Sequence, residues 1–221
     1  MIGAFRPDGD APRYFGVFPA IVTDIVDPES LGRVEIKFPW FGADGDAARA
    51  WATLLAPYAD DDQGFEFLPA VDTQVVVAFE AGDLRRPYII GSCWNGREAM
   101  PEAPAQPNNK RLIKTRAGSL LEFDDADGAA KVTLSMKSGH KLTLDDAAQE
   151  VVLQHSNGCV IKFSSSGDVT ITALAGMTIN APSGLTVNAP SSIFSGSVTC
   201  QALTATSVTS PLYSPGMGNV W

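Results

Sequence analysis

No charged residue follows Asp168: every Asp, Glu, Lys, Arg and His lies at or before it, and the last 53 residues carry none. This feature restricts the fold more than any other. The segment is not simply greasy, because Ser, Thr, Ala, Asn and Gly are threaded with Val, Ile and Leu. Such a composition is β-prone and offers strand edges without charges to discourage edge-to-edge association. A single copy has no ready way to stay soluble and folded, whereas a closed assembly of identical copies satisfies the edges. A disordered Ser/Thr-rich linker is the competing reading, and the regular spacing of apolar residues opposes it.

That spacing is a repeat. Gly118-Ser119-Leu120-Leu121-Glu122-Phe123, Gly139-His140-Lys141-Leu142-Thr143-Leu144 and Gly158-Cys159-Val160-Ile161-Lys162-Phe163 all read Gly-x-x-apolar-x-apolar, at spacings of 21 and 19. Two small polar residues follow each. Val132–Ser135, Val151–Gln154 and Val169–Thr172 alternate with these segments, so each unit is a strand, a polar turn and a second strand. Beyond Leu174 the period shortens to eight, with Gly176–Ser183 preceding Gly184–Ser191 and a looser third copy starting at Ser192. Met177, Ile179, Leu185 and Val187 share one phase of it. Eight residues cannot bury a core of their own, so neighbouring turns or other chains must supply one.

The upstream part reads as short strands. Ile21–Val26 leads into a turn at Asp27-Pro28-Glu29-Ser30. From Gly32 to Phe38 the chain alternates, with Val34, Ile36 and Phe38 on one face and Arg33, Glu35 and Lys37 on the other. Ala50–Leu55, Thr73–Phe79 and Pro87–Ser92 complete the set, and Val75–Phe79 is apolar on both faces, as a central strand is. About five short strands in this span suggest a small closed barrel, which removes exposed edges. Asp44–Trp51 is the one stretch that could carry a short turn or helix. Pro101, Pro104 and Pro107 then block both helix and sheet ladders and mark a semi-rigid boundary.

Composition excludes several function classes. The formal net charge is −9, from 16 Lys+Arg and 25 Asp+Glu, against the basic footprint of duplex binding. No apolar run reaches the ~18 residues of a membrane-spanning helix, and Met1–Asp10 lacks the pattern of a secretory signal. Cys93, Cys159 and Cys200 are too few and too scattered for a disulfide framework or zinc knuckle. Asp60-Asp61-Asp62 lacks the alternating spacing of a calcium loop and reads as a solvated turn. His140 and His155 fall at different phases of the repeat and read as structural or surface residues. Asp124/Asp125 and Asp145/Asp146 recur at one phase, which makes them turn residues before paired catalytic carboxylates. No Gly-x-Ser-x-Gly elbow, phosphate loop or dinucleotide fingerprint occurs. Trp40, Phe41 and Trp51 could form a base-stacking platform, but the acidic charge favours core or interface packing. No catalytic residue, cofactor or metal is expected.

Several segments carry a resemblance. Leu31-Gly32-Arg33-Val34-Glu35-Ile36-Lys37-Phe38-Pro39-Trp40 resembles the Gly-Arg-Val-x-Val-x-Phe-Pro-Trp strand of the central spikes of contractile injection machines. That family includes the phage tail spike, or baseplate assembly protein V, and the type VI secretion VgrG spike. Gly64–Pro69 resembles its Gly-x-x-Phe-Leu-Pro loop, and Val75–Gly82 its Val-x-Val-Ala-Phe-Glu-x-Gly strand. Asp83–Gly91 with Asn95 resembles Asp-x-x-Arg-Pro-x-Ile-x-Gly-x-x-x-Asn, and Lys110–Thr115 the start of its β-helix. The family's Val-Gly-Asp-Glu-Val turn instead reads Val71-Asp72-Thr73-Gln74-Val75. No lysozyme-like insertion separates barrel from needle, and no large hub domain is seen ahead of the barrel.

The resemblance implies an all-β chain: an N-terminal arm (1–14), an oligonucleotide/oligosaccharide-binding (OB) barrel (15–95), a Pro-rich linker (96–112) and a trimeric β-helical or β-prism needle (113–221). Met177, Ile179, Leu185 and Val187 would then form the needle core of a homotrimer. A His-x-His iron site is absent from the tip, so Met217, Val220 and Trp221 are the expected docking patch for a Pro-Ala-Ala-Arg-repeat (PAAR) cap protein. The implied role is a structural, non-enzymatic spike in a virion tail baseplate or injection particle. It would be assembled in the host cytoplasm, joined to a baseplate hub protein, pressed mechanically into a target membrane, and without nucleic-acid partners. The alternative is an OB/β-solenoid module that binds glycan or single-stranded nucleic acid; a polysaccharide-cleaving β-helix ranks third.

Overall fold

The computed structural model describes residues 12–42 and 48–212. The chain builds two β structures in series. The first comprises β1 (Phe18–Asp24), β2 (Arg33–Lys37), β3 (Arg49–Leu54), a small hairpin β4 (Ala59–Asp60) and β5 (Gln63–Gly64), then β6 (Gln74–Phe79) and β7 (Pro87–Ser92). Strands β1-β2-β3-β7-β6 close into a barrel. All pairs are antiparallel except β3 with β7, where Thr53 lies opposite Tyr88 and Leu54 opposite Ile89. Five strands closed in this order, with one parallel pair, make an OB-type barrel.

Alternation determines what the barrel encloses. Val34 and Ile36 of β2, Val75, Val77 and Phe79 of β6, and Ala20 and Val22 of β1 all point inward and are buried, with Phe38, Ala52 and Ile89. One end is closed by aromatic rings. Phe18 and Trp40 lie 4.9 Å apart, and Tyr14, Phe38 and Phe79 pack around them. Tyr14 belongs by sequence to the arm, but its amide donates to Gly82 O at 3.0 Å. Gly82 has φ +79°, and a Cβ there would sit 3.0 Å from the Tyr14 nitrogen, so only glycine allows this approach. Arg49–Trp51, within the stretch read as a possible turn or helix, begins β3 instead; residues 44–47 lie outside the described residues. Pairing of Glu35 with Trp51 and of Ile36 with Ala50 draws this segment into the sheet, and tertiary pairing overrides its weak helical pattern.

The loop between β1 and β2 is organised by one carboxylate. Asp27 accepts hydrogen bonds from the amides of Glu29, Leu31 and Arg33, and a two-pronged pair from Arg33 Nε and Nη2, both at 2.9 Å. The Arg33 guanidinium, with these amides, holds the Asp27 carboxyl well below the usual carboxylate range, since each bond favours the charged form. This explains the Asp…Gly-Arg pattern at the start of β2: Gly32 turns the chain at φ +70° and Arg33 returns to the carboxylate.

Beyond the linker, β8 (Lys110–Lys114), β9 (Leu120–Asp124), β10 (Lys131–Ser135), β11 (Lys141–Asp145), β12 (Glu150–Gln154), β13 (Val160–Phe163) and β14 (Val169–Thr172) form a seven-stranded antiparallel meander in chain order. β8 starts inside the stretch read as linker. Lys110 anchors it through Glu102 at 2.9 Å and Glu122 at 3.5 Å. Four turns share one design: Thr115–Ser119, Met136–His140, His155–Cys159 and Ser164–Asp168. In each, the first amide bonds the fifth carbonyl, and the amide of the fourth residue, a glycine, bonds the first carbonyl. These glycines have φ between 86° and 98°, the left-handed position that ends a three-residue hairpin loop. Within one chain residues 110–172 are therefore a meander of hairpins and not a solenoid coil. From 173 to 212 the chain is extended and makes no ladder with itself.

The barrel alone holds the fully buried apolar residues among those described. A chain ending at Asn95 should therefore melt cooperatively as a monomer in calorimetry. In that chain Asp27→Asn should lower the melting temperature at neutral pH. A depressed folded-state pKa stabilises above the ordinary value of 3.8 and is lost as pH falls through the folded value. The gap between parent and variant should accordingly narrow below about pH 4.

Candidate functional site

The register of the meander sorts its residues onto two unlike faces. Phe123, Val132, Leu144, Val151, Phe163 and Val169 follow one another across paired strands. Leu121, Leu134, Leu142, Leu153, Ile161 and Ile171 form a second row two residues away, on the same face, and Ile113 of β8 extends it. That face is apolar from β9 to β14. The opposite face carries Glu122, Lys131, Thr133, Thr143, Lys141, Val152, Lys162 and Thr170, with Lys162 paired to Glu150.

No other element among the described residues covers the apolar face. Leu144 remains 46% exposed, Phe163 49% and Ile171 52%. Fully burying one such side chain is worth roughly 1.5–3 kcal/mol, so the eight exposed members of the two rows leave on the order of 10 kcal/mol unrealised in an isolated copy. A sheet with one face bare to water is far larger than a chance apolar patch, and patches of this kind mark association surfaces. Met177, Ile179, Leu185 and Val187 are likewise exposed in the single chain, between 57% and 66%. Met217, Val220 and Trp221 lie outside the described residues.

The structure also places the candidate chemical groups. Asp124 and Asp145 accept from the amides of Ala126 and Ala148 and so cap turns. Asp60, Asp61 and Asp62 form the turn of the β4–β5 hairpin, with Asp60 Oδ1 accepting from the Asp61 amide. His140 and His155, two strands apart, are brought side by side with ring centroids 4.3 Å apart. Their Nδ1 atoms accept from the amides of Ser156 and Asn157. The sequence separation of these histidines hides this contact; it appears only once β11 and β12 are paired. Trp40 donates from Nε1 to Pro19 O at 2.8 Å and, with Phe41, joins the aromatic plug, while Trp51 lies beneath the Arg33 guanidinium at 5.9 Å. Cys93, Cys159 and Cys200 are all free thiols. No group of three or more His, Cys, Asp or Glu side chains converges to hold a metal ion among the described residues. Nor is any helix there long and apolar enough to cross a membrane.

The conserved-looking loop of the resemblance also gains a physical account. Asp83 is held down to about 2 by the Arg85 guanidinium, and Glu80 bonds Arg86 and Tyr88. Asn95 donates to Gln74 Oε1 at 2.7 Å and ties the departing chain to β6.

A small OB-type barrel thus precedes a β meander bare on one face, and known proteins resemble this chain in sequence. Residues 18–94 match the family of the type VI secretion system/phage-baseplate injector OB domain. The chain is 23% identical over 131 residues to the type VI secretion system spike protein VgrG3 of Vibrio cholerae, covering 56% of this chain and 13% of that protein. It is 29% identical over 146 residues to the spike protein VgrG4b of Pseudomonas aeruginosa, covering 62% and 17%. A third relative, the actin cross-linking toxin VgrG1 of Vibrio cholerae, shares 23% identity over 179 residues, covering 75% and 16%. The matched region thus spans less than a fifth of each of these relatives. Residues 18–94 thus resemble an injector OB domain, and the chain as a whole is similar, at low identity, to VgrG spike proteins.

The bare face makes an asymmetric prediction. Thr170 and Ile171 are neighbours on β14, both exposed in one copy and on opposite faces. Ile171→Asp should cost on the order of several kcal/mol of assembled-state stability, because a buried carboxylate loses its hydration. Thr170→Asp should cost about 1 kcal/mol or less. Paired thermal melts of the full chain measure the difference.

Proposed function

We propose that this protein is the homotrimeric spike at the centre of a contractile tail baseplate and that its work is mechanical. The observation that carries the reading is the meander whose one face is apolar throughout and uncovered within the chain. Three such sheets, apolar faces turned inward, make a triangular prism with a dry centre and a polar outer surface. The uncharged stretch from 173 onward continues the same column, with Met177, Ile179, Leu185 and Val187 directed to the shared interior. Ladder partners that the single chain lacks come from the other two copies, and cross-chain pairing of this sort gives a narrow column its stiffness. In this reading residues 15–95 form the barrel that joins the trimer to a baseplate hub protein, residues 96–112 the linker and residues 113–221 the needle.

Contraction would drive the column against a target envelope, with the uncharged end seating a PAAR-repeat cap through Met217, Val220 and Trp221. No chemistry is required of the chain. Of the aromatic residues that might have read nucleobases, Trp40 and Phe41 are used in closing the barrel and Trp51 packs under Arg33, and the histidines and carboxylates cap turns.

Multi-angle light scattering of the full chain tests the architecture. A mass three times 23.4 kDa at micromolar concentration is expected, and a stable monomer would refute it.

A further inference from the structure

The same meander is electrically lopsided along its two sides. Register places residues 114, 120, 135, 141, 154, 160 and 172 at one side, and 110, 124, 131, 145, 150, 163 and 169 at the other. The first side, with the turns 115–119, 136–140 and 155–159, carries Lys114, Arg116, Lys137 and Lys141 and no carboxylate; its remaining titratable groups are His140, His155 and Cys159. The second side, with the turns 125–130, 146–149 and 164–168, carries Asp124, Asp125, Asp127, Asp145, Asp146, Glu150 and Asp168, with only Lys110 and Lys131 at those positions; Lys162, one residue inside, reaches Glu150 at 2.6 Å. The two lysines are partly spoken for. Lys110 is bound to Glu102 and Glu122, and Lys131 lies in register with Asp124 and Asp145. None of the four cations on the first side forms an ion pair within the chain among the described residues.

We propose that the cationic side of one copy docks against the acidic side of the next, and that this charge seam directs three copies into a closed ring. The inference rests on the trimeric reading and deepens it by naming the surfaces that meet. A hairpin meander alternates its turns from side to side, so turns on one side sit one strand, about 4.8 Å, out of step with those on the other. Copies related by a rotation alone lie at equal height. Each cationic turn of one copy therefore falls level with the gap between two acidic turns of its neighbour. The contact is heterologous, two different surfaces meeting head to tail, and such contacts make rings when the rotation closes. Two cationic sides or two acidic sides brought together repel, which rejects the face-to-face dimer that the bare apolar sheet alone would permit.

The seam is tested by reversing charge on one side, on the other, and on both. Arg116→Glu, Lys137→Glu and Lys141→Glu together make both sides acidic. Asp125→Lys, Asp127→Lys and Asp146→Lys together make both sides basic. At low ionic strength each triple variant should form trimer at least about tenfold less readily than the parent, read by native mass spectrometry after refolding across a concentration series. The sixfold variant, with both sides reversed, restores opposite charges at every seam and should recover the trimer. Salt near 1 M, where the screening length is about 3 Å, should narrow the gap between parent and triple variants. Trimer formation by both triple variants equal to that of the parent, or no recovery in the sixfold variant, overturns the seam. A parent chain that is itself monomeric removes the trimeric reading on which the seam rests, so the two failures are distinct.

Discussion

The uncovered apolar face of the β8–β14 meander is the constraint on which the rest of the molecule depends. A strand points successive side chains to opposite faces, so two apolar positions per strand, in register across six strands, commit one whole surface to water exclusion. Among the described residues no other sheet and no helix is laid on it. The barrel does not serve, because its own alternation closes inward on Val22, Val34, Ile36, Val75, Val77 and Ile89. The two halves thus solve the edge problem differently. The barrel closes on itself, and the meander leaves its face and its outer edges uncovered among the described residues.

This division explains how much of the fold was legible in the sequence. The unit Gly-x-x-apolar-x-apolar encodes both a turn and a face: the glycine supplies the positive φ of the hairpin loop, and the two apolar positions are the pairs Leu121/Phe123, Leu142/Leu144 and Ile161/Phe163 on the bare side. Both are local properties, so they survive in a one-dimensional reading. The barrel strands were legible for the same reason, through alternation from Val34 to Phe38 and the apolar run from Val75 to Phe79. The β4–β5 hairpin was not, because two-residue strands have no period to detect and their pairing of Ala59 with Gly64 is a product of the surrounding loop.

What escaped the sequence depends on register. His140 and His155 appear unrelated until β11 and β12 are paired, and Tyr14 appears to belong to an arm until its amide finds Gly82. The lopsided charge is the clearest case. Along the chain, Lys137 and Asp146 are nine residues apart and read as an ordinary mixture of signs. Only the meander reveals that every turn on one side is basic or neutral and every turn on the other acidic. The candidate core and tip residues mark the opposite limit: Met177, Ile179, Leu185 and Val187 have a phase but no intrachain partner that would give it a direction.

The point at which charge stops along the chain also acquires a cause. Asp168 closes the last turn before β14, and β14 is the last strand with a partner in its own chain. Up to there, each copy has a polar face and two sides of turns on which ionised groups keep their hydration. Beyond β14, residues 173–212 form no intrachain ladder, and in the proposed trimer their backbone pairs with the other two copies. A narrower column of interleaved chains leaves fewer positions facing only water, and an ionised group turned inward would lose several kcal/mol of hydration without compensation. Ser, Thr and Asn can serve either environment, bonding backbone groups when covered and water when not. The loss of charge at residue 168 thus coincides with the end of the sheet that one chain builds alone and, in the proposed trimer, with the start of a column shared by all three copies.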